Sequence, residues 1–167
     1  MWKKMLNMSK KQATLWFIVV IVCVVITYYY QKSKAAENYQ KMLEVAAKNC
    51  DLETVKSLVK KSRDDSNISK KALYYAAEKG CLEVVKFLLD EGVDINTSLA
   101  LLGAADGGQL EVVKLLLERG ADPHVRGWKG TTPKTIAMKR SSYYSSEPYR
   151  EIIDLLVEAE KSYKAEK

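Results

Sequence analysis

One phrase written three times constrains this chain more than any bulk property. Residues 76–89 read Ala-Ala-Glu-Lys-Gly-Cys-Leu-Glu-Val-Val-Lys-Phe-Leu-Leu, and residues 104–117 read Ala-Ala-Asp-Gly-Gly-Gln-Leu-Glu-Val-Val-Lys-Leu-Leu-Leu. Residues 46–59 hold a blurred copy, Ala-Ala-Lys-Asn-Cys-Asp-Leu-Glu-Thr-Val-Lys-Ser-Leu-Val. Self-similarity at a period of about 30 residues marks a solenoid, whose units bury their apolar sides only by stacking on one another. Extended arrays of this kind present binding surfaces and seldom carry catalytic groups.

Within each copy the residue types follow the physics of paired helices. The double alanines leave room for a first helix to lie close to its neighbour in the stack. Gly80 and Gly108 end that helix, where a left-handed backbone costs glycine little. Leu82, Val85, Leu88 and Leu89 then recur at helical spacing and predict a buried stripe on a second helix. Leu110, Val113, Leu116 and Leu117 repeat it, as do Leu52, Val55, Leu58 and Val59, and Ile153, Leu156 and Val157. Burial of each such side chain contributes about 1.5–3 kcal/mol, so this seam is expected to hold the array. Glu83 with Lys86 and Glu111 with Lys114 form i, i+3 pairs on the solvated side.

Charge argues against nucleic acid as a partner. The net charge is +6, but residues 1–30 contain four lysines (Lys3, Lys4, Lys10, Lys11) and no acid. The other 137 residues hold 23 basic and 21 acidic side chains without an evident basic stripe. The three cysteines lack metal-ligand spacing. Cys50 and Cys81 fall near the inter-helix turns of adjacent units, offset by one position. Packed helices lie about 10 Å apart, whereas a disulfide needs Cα atoms within about 7 Å. The reading is therefore two small, half-buried thiols and an undetermined redox compartment.

Ahead of the repeats, Leu15 to Ile26 is twelve residues without a charge, and Ala13 to Tyr30 makes an 18-residue apolar stretch. As a helix it would extend about 27 Å, against a hydrocarbon core of about 30 Å. Trp16 at one end and Tyr28, Tyr29 and Tyr30 at the other match interfacial aromatic belts. Small residues that would suit a signal-peptide cleavage site come only at Ser33-Lys34-Ala35-Ala36, so an uncleaved anchor is preferred to a cleaved signal. The expected organisation is a basic segment over 1–12, a transmembrane helix over 13–30, a linker over 31–38 and the repeats over 39–163. The lysine bias places the amino terminus in the cytoplasm and the repeats on the periplasmic or exoplasmic side.

The motif Ala-Ala-x-x-Gly-x-Leu-Glu-Val-Val-Lys-x-Leu-Leu, with Gly92-Val93-Asp94-Ile95-Asn96, Gly120-Ala121-Asp122-Pro123-His124 and Gly130-Thr131-Thr132-Pro133, resembles the ankyrin repeat. The resemblance covers about residues 39–160 and implies an all-α solenoid of about four helix–turn–helix units, with fingers projecting between them. Departures are specific. The family's Thr-Pro-Leu-His opening is replaced by Ala72-Leu73-Tyr74-Tyr75 and Ala100-Leu101-Leu102-Gly103. Leu52 to Leu82 is 30 residues and Leu82 to Leu110 is 28, short of the family's usual unit, so the first two fingers should shrink to turns. Gly120 to Pro133 keeps full length and should form a hairpin. An insertion around 140–146 separates the helices of the last unit. Asn67, Ser69, Asn96, Thr97 and Ser98 are expected to cap the following helices.

The resemblance further implies binding of a partner protein through finger tips and the first-helix face, which together make a concave surface. Carried over position by position, the tip is Trp128-Lys129 with Thr131 beside it. The exposed pairs after the alanines include Lys48, Glu78, Lys79, Asp106 and Lys139. Trp128 is the preferred anchor, because an exposed tryptophan on a rigid tip is a typical interface hot spot. Tyr143 and Tyr144, with Tyr149, stand in or beside the insertion, where tyrosine offers contact area at small entropic cost. Tyr74 and Tyr75 read as packing residues.

An enzyme is not expected. His124 is the sole histidine and occupies a turn, and no phosphate loop, metal cluster, cofactor motif or catalytic carboxylate pair is legible. The expected function is a membrane-anchored, bacterial-type interaction module, in its sharper form an immunity protein that neutralises a toxin. The alternatives are an assembly factor acting through its membrane helix and a secreted effector.

Overall fold

A computed structural model describes residues 10–61, 66–97, 99–144 and 147–165, and the statements below concern these residues. They form α1 (Lys10–Lys48), α2 (Leu52–Lys61), α3 (Ser66–Lys79), α4 (Leu82–Asp90), α5 (Ala100–Gly107), α6 (Leu110–Glu118), α7 (Pro133–Tyr143) and α8 (Glu147–Ala165), with a short 3₁₀ turn at Trp128–Gly130. Among the described residues there is no strand. The chain divides into two compact units between Tyr39 and Gln40.

The first unit is helical throughout its described part, and the expected linker over 31–38 is itself part of α1. Its apolar side chains, such as Phe17 at 69% exposure, are not covered by a protein core. Among the described residues this is one helix long and apolar enough to cross a membrane. Its polar end carries a Tyr28–Tyr29 edge contact and the Lys34 ammonium 5.3 Å from the Tyr30 ring.

In the second unit, first helices (the end of α1, then α3, α5 and α7) and second helices (α2, α4, α6 and α8) make two rows. Leu43, Ala46 and Ala47 are buried in α1, Ala72, Leu73, Ala76 and Ala77 in α3, and residues 100–105 throughout α5. In α4, α6 and α8 the buried stripe is rotated by one position from the expected one, whereas α2 buries Val55, Leu58 and Val59 as expected. Val84, Val85 and Leu88 are buried while Leu82 and Leu89 are half-exposed; Val112, Val113 and Leu116 repeat this, and Ile152 takes the place expected for Ile153. The rotation arises because each second helix faces both its own first helix and the neighbouring unit, which widens the apolar arc.

The first helices of the first three units end alike, whereas α7 ends on Tyr144 in an extended conformation. Asp51, Cys81 and Gln109 donate their backbone N–H to the carbonyls of Ala46, Ala76 and Ala104 at 2.9–3.0 Å. Cys50, Gly80 and Gly108 occupy the preceding position with φ of 57°, 77° and 68°. These are Schellman-type closures, which need the left-handed region.

At that turn the units meet. Cys81 reaches back to Cys50 and the two form a disulfide with Cα atoms 5.1 Å apart, which corrects the expectation of separate thiols. The error lay in using the distance between helix axes. The turns approach far more closely, because the position after each first helix projects onto the previous unit's turn. Gln109 does the same at the next junction, where a methyl group on Gly80 would collide with its amide, and its Nε2 donates to the Glu78 carbonyl at 3.3 Å. Tyr149 does it at the third, where an added Cβ on Gly108 would lie 2.9 Å from Cζ. Its hydroxyl donates to the Asp106 carbonyl at 3.1 Å.

Between units, Gly92 to Thr97 makes turns in which the Asp94 carboxylate accepts the N–H groups of Asn96 and Thr97 at 2.8 and 3.0 Å. The first shortened finger falls on residues 62–65, outside the described residues, and Asn67 and Ser69, expected as caps, lie inside α3, which already begins at Ser66. The cap expected from Asn96 and Thr97 is not made. Leu99 stands at the start of α5 with φ 56° and no side-chain cap bond, and Asn96 Oδ1 accepts the Asp122 N–H at 2.8 Å instead. The expected hairpin between Gly120 and Pro133 is also replaced. Its neighbour offers side-chain acceptors in place of a strand, so the finger closes only at its tip, where the Gly127 N–H donates to the Thr131 carbonyl at 2.8 Å. The insertion of the last unit is largely an extension of α7 to Tyr143. That helix starts from a capping box between Thr132 and Thr135 with Pro133 in its first turn.

The disulfide closes a loop with a sequence separation of 31 residues, for which the chain-entropy relation gives about 3–4 kcal/mol. Urea unfolding of the oxidised protein and of Cys50→Ser/Cys81→Ser should differ by about that amount, with helicity at zero denaturant unchanged. Equal stability of the two would remove the staple from the account.

Candidate interaction surface

The exposed side of the first-helix row is built from positions that the buried alanines leave pointing outward. In α1 these are Lys41, Glu44 and Lys48, spaced to lie on one helix face, and in α3 they are Lys71, Tyr75, Glu78 and Lys79. Tyr74 fills the space above the next helix, where a Cβ on Gly103 would lie 3.1 Å from its ring. Gly103 is therefore the small partner of a large neighbour, which explains its presence in place of the family's polar residue. Burial raises the Tyr74 hydroxyl pKa above the ordinary range, with Glu78 and Asp106 adding to the effect. Tyr75 packs edge-on to Tyr74 with centroids 5.4 Å apart and carries the Lys48 ammonium 3.8 Å from its own ring centre. The expected packing role thus holds for Tyr74, while Tyr75 also shapes the surface.

Acidic groups on this row are each matched by a cation. Asp106 takes Arg140 in two bonds, Nε to Oδ1 at 2.6 Å and one terminal nitrogen to Oδ2 at 3.0 Å. Glu44 faces Lys71 at 3.8 Å and Glu78 faces Lys79 at 3.2 Å. The Asp106 side chain is 16% exposed, so its expected role as an exposed contact is replaced by an internal one: it fixes α7 to α5. By accepting these hydrogen bonds the Asp106 carboxylate raises the Arg140 pKa, which keeps the guanidinium protonated. A bidentate fork of this kind is directional as well as strong.

At the tip, Trp128 is 82% exposed. Lys129 holds a left-handed φ of 57° and sets its ammonium 4.3 Å from the indole centre. Thr131 is half-buried and spends its hydroxyl on the Trp128 carbonyl at 2.8 Å, so it braces the tip. Met138 and Lys139 project from α7, and Tyr143 and Tyr144 are exposed at 72% and 57%. Tyr149 is 8% exposed and stacks on Tyr144 with centroids 6.4 Å apart. Trp128, Lys129, Lys48, Lys79, Lys139, Tyr143 and Tyr144 are therefore outward groups, and Glu78 is partly so.

Arg140, Tyr75 and Lys41 are the surface residues that the repeat pattern did not single out. Arg140 was legible only as part of an insertion, because its partner lies 34 positions earlier. His124 belongs to the fold: its N–H donates to the Asp122 carboxylate at 2.8 Å and its ring meets Tyr163 at 5.9 Å. Its Nε2 is buried without a hydrogen bond. Among the described residues no group of three or more His, Cys, Asp or Glu is placed to hold a metal.

Burial raises the Tyr149 hydroxyl above its ordinary pKa of 10.0, opposed by Arg140 and helped by Asp106. The folded state holds that proton more tightly, so its contribution is complete below pH 10 and is lost as pH climbs through the raised value. Tyr149→Phe keeps the ring and removes the bond, and should lower stability by about 1 kcal/mol at neutral pH. The deficit should shrink in alkali. A loss that stays constant to high pH would assign Tyr149 to packing alone.

A family model described as Ankyrin repeats (3 copies) matches residues 21–98 and 43–127. Among curated proteins nothing matches the chain. The fourth helix pair, α7 and α8, lies beyond the matched residues yet repeats the same junction through Tyr149. With helix pairs, closures and junctions recurring through the array and a family model spanning more than half its length, the chain belongs to the ankyrin-repeat family.

Proposed function

We propose that this protein is a membrane-anchored recognition module whose repeats capture one partner protein in an oxidising compartment. The observation that carries the reading is Trp128, a large aromatic held almost fully in solvent on a short, internally braced tip beside the exposed face of the first helices. A monomeric protein gains nothing in stability from such a group, whereas interfaces concentrate their energy in one or two aromatic or arginine anchors. Ankyrin repeats are an interaction fold, which supports a protein as the partner.

Two features support the anchor and its sidedness. The apolar part of α1 exposes Phe17, Ile18 and their neighbours, a poor arrangement in water and a natural one in lipid. The Cys50–Cys81 disulfide favours the oxidising side of a membrane, since thiols are kept reduced in the cytosol. It agrees with the lysine bias around the span, which is independent of it. An array that binds one protein rigidly and does no chemistry fits an inhibitor, so the sharper form of the reading is an immunity protein that masks a toxin.

Two experiments test this. Full-length protein purified from its membrane should retain a stoichiometric partner, and Trp128→Ala with Lys79→Glu should weaken that complex by at least about 30-fold, as loss of a hot spot does. Lys56→Glu with Lys86→Glu on the second row should leave it intact. Unaltered affinity in the first variant would exclude the surface, and loss on exchanging only residues 13–30 of α1 for an unrelated span would favour an assembly role for that segment. For sidedness, an alkaline phosphatase fused after Lys167 should be active, and Cys50 and Cys81 should resist maleimide in intact cells until reduced. An inactive fusion with freely reactive thiols would place the repeats in the cytoplasm.

A further inference from the structure

The two rows of the array differ in charge. The first helices, counted from Gln40, contain eight basic and three acidic residues; the second helices contain eight basic and ten acidic ones. The sequence in linear order conceals this, because the second helices interleave their acids between the lysines of the first.

Pairing sharpens the contrast. All three acids of the first row already hold a cation, in Glu44–Lys71, Glu78–Lys79 and Asp106–Arg140. Among the described residues, Lys41, Lys48 and Lys139 on that row and Lys129 at the tip form no ion pair with a carboxylate. Two of these four cations lie over aromatic rings, Lys48 on Tyr75 and Lys129 on Trp128. A ring attracts an ammonium without neutralising it. Each pair therefore presents a flat apolar plate with an uncompensated positive charge on it.

Building on the recognition reading above, we infer that the partner offers an acidic surface with apolar or aromatic groups at its centre, received by the lysine-on-ring plates of the first-helix row. The chemistry distinguishes this from a polyphosphate ligand. Phosphate recognition uses free guanidinium forks and a continuous cationic track. Here Arg140 is already engaged by a carboxylate, and three matched acids interrupt the track. An exposed Trp128, Met138 and Tyr143 suit the apolar centre of a protein interface instead. The unmatched lysines would speed encounter and reject basic competitors, while the aromatic plates hold the complex.

The full-length protein in detergent, with its disulfide formed, can be titrated with three probes: poly-glutamate, a random glutamate–tyrosine copolymer and duplex DNA. The copolymer should bind most tightly, and its affinity should fall as salt is raised. Lys48→Glu with Lys139→Glu should weaken it at least tenfold, while Lys56→Glu with Lys86→Glu on the second row should change it less than twofold. Trp128→Ala should abolish the advantage of the copolymer over poly-glutamate. Circular dichroism controls for folding, and all substituted side chains are at least partly exposed. Charge reversal on the first row without effect, or DNA binding as tightly as the copolymer, would overturn the inference. If the partner captured by the native protein proves basic or neutral yet still needs Trp128, this inference falls while the recognition reading stands; if it needs neither row nor tip, both fall.

Discussion

Each unit of this array touches the next most closely at the C-terminal turn of its first helix, and the rest of the arrangement depends on that approach. A helix end leaves carbonyls without partners inside the helix, and here the neighbouring unit supplies donors for them. Gln109 Nε2 bonds the Glu78 carbonyl and Tyr149 Oη bonds the Asp106 carbonyl, two equivalent positions one unit apart. The approach requires a left-handed residue with no bulk on the facing side, hence Gly80 and Gly108. At the first junction Cys50 accepts the same backbone geometry and turns its side chain into the link itself. The solution differs chemically at each junction while the geometry stays fixed.

That geometry also decides which residues remain available to a partner. Residues near the junction are consumed by it: Asp106 holds Arg140, Glu78 gives its carbonyl to Gln109, and Tyr149 is buried. Others are released to solvent, among them Lys48, at the position in the first unit that Glu78 and Asp106 take in the next two, with Lys139 on α7 and Trp128 on the tip. A rigid stack with a few outward anchors is pre-organised, and binding then costs little ordering of the backbone. The lysines above Tyr75 and Trp128 are ordered in advance in the same sense, because the rings limit where the ammonium groups can go.

What the sequence disclosed follows from which interactions are local. Helix pairs and their closing glycines were readable because helical periodicity and the left-handed preference act within a few residues, as at Leu88 and Gly108. Contacts between units were not, because their partners lie about one repeat apart. The Cys50–Cys81 bond, the Tyr149 hydroxyl and the Arg140–Asp106 fork are all of this kind. Cys81, Gln109 and Tyr149 reach the preceding turn from one position of the repeat, and their difference in type concealed a constant role. The missing hairpin has the same cause: a finger forms strands only if the next finger offers a ladder, and Gly92 to Thr97 is too short to do so. For the proposed binding face, the exposure of Trp128 followed from its place at a tip, but the charge difference between rows required knowing which helix each lysine belongs to.

The two ends of the stack meet a requirement that its middle does not, since a terminal unit has one neighbour and loses half of the nearest-neighbour stabilisation. The first unit is also the poorest in apolar residues, with Thr54 and Ser57 where later units have valine and leucine or phenylalanine. It is here that the covalent link lies. The last unit is secured differently: α8 runs 19 residues, its Glu160 reaches Lys134 at the start of α7, and its Tyr163 meets the ring of His124 on the preceding finger. The disulfide and the Tyr163–His124 contact each fasten an end unit to what precedes or follows it, and they respond to different conditions. The disulfide fails under reduction, the long helix only when its packing melts. An array stapled in this way is weakest at its first unit wherever thiols are reduced, so its full stiffness requires the Cys50–Cys81 bond to be formed.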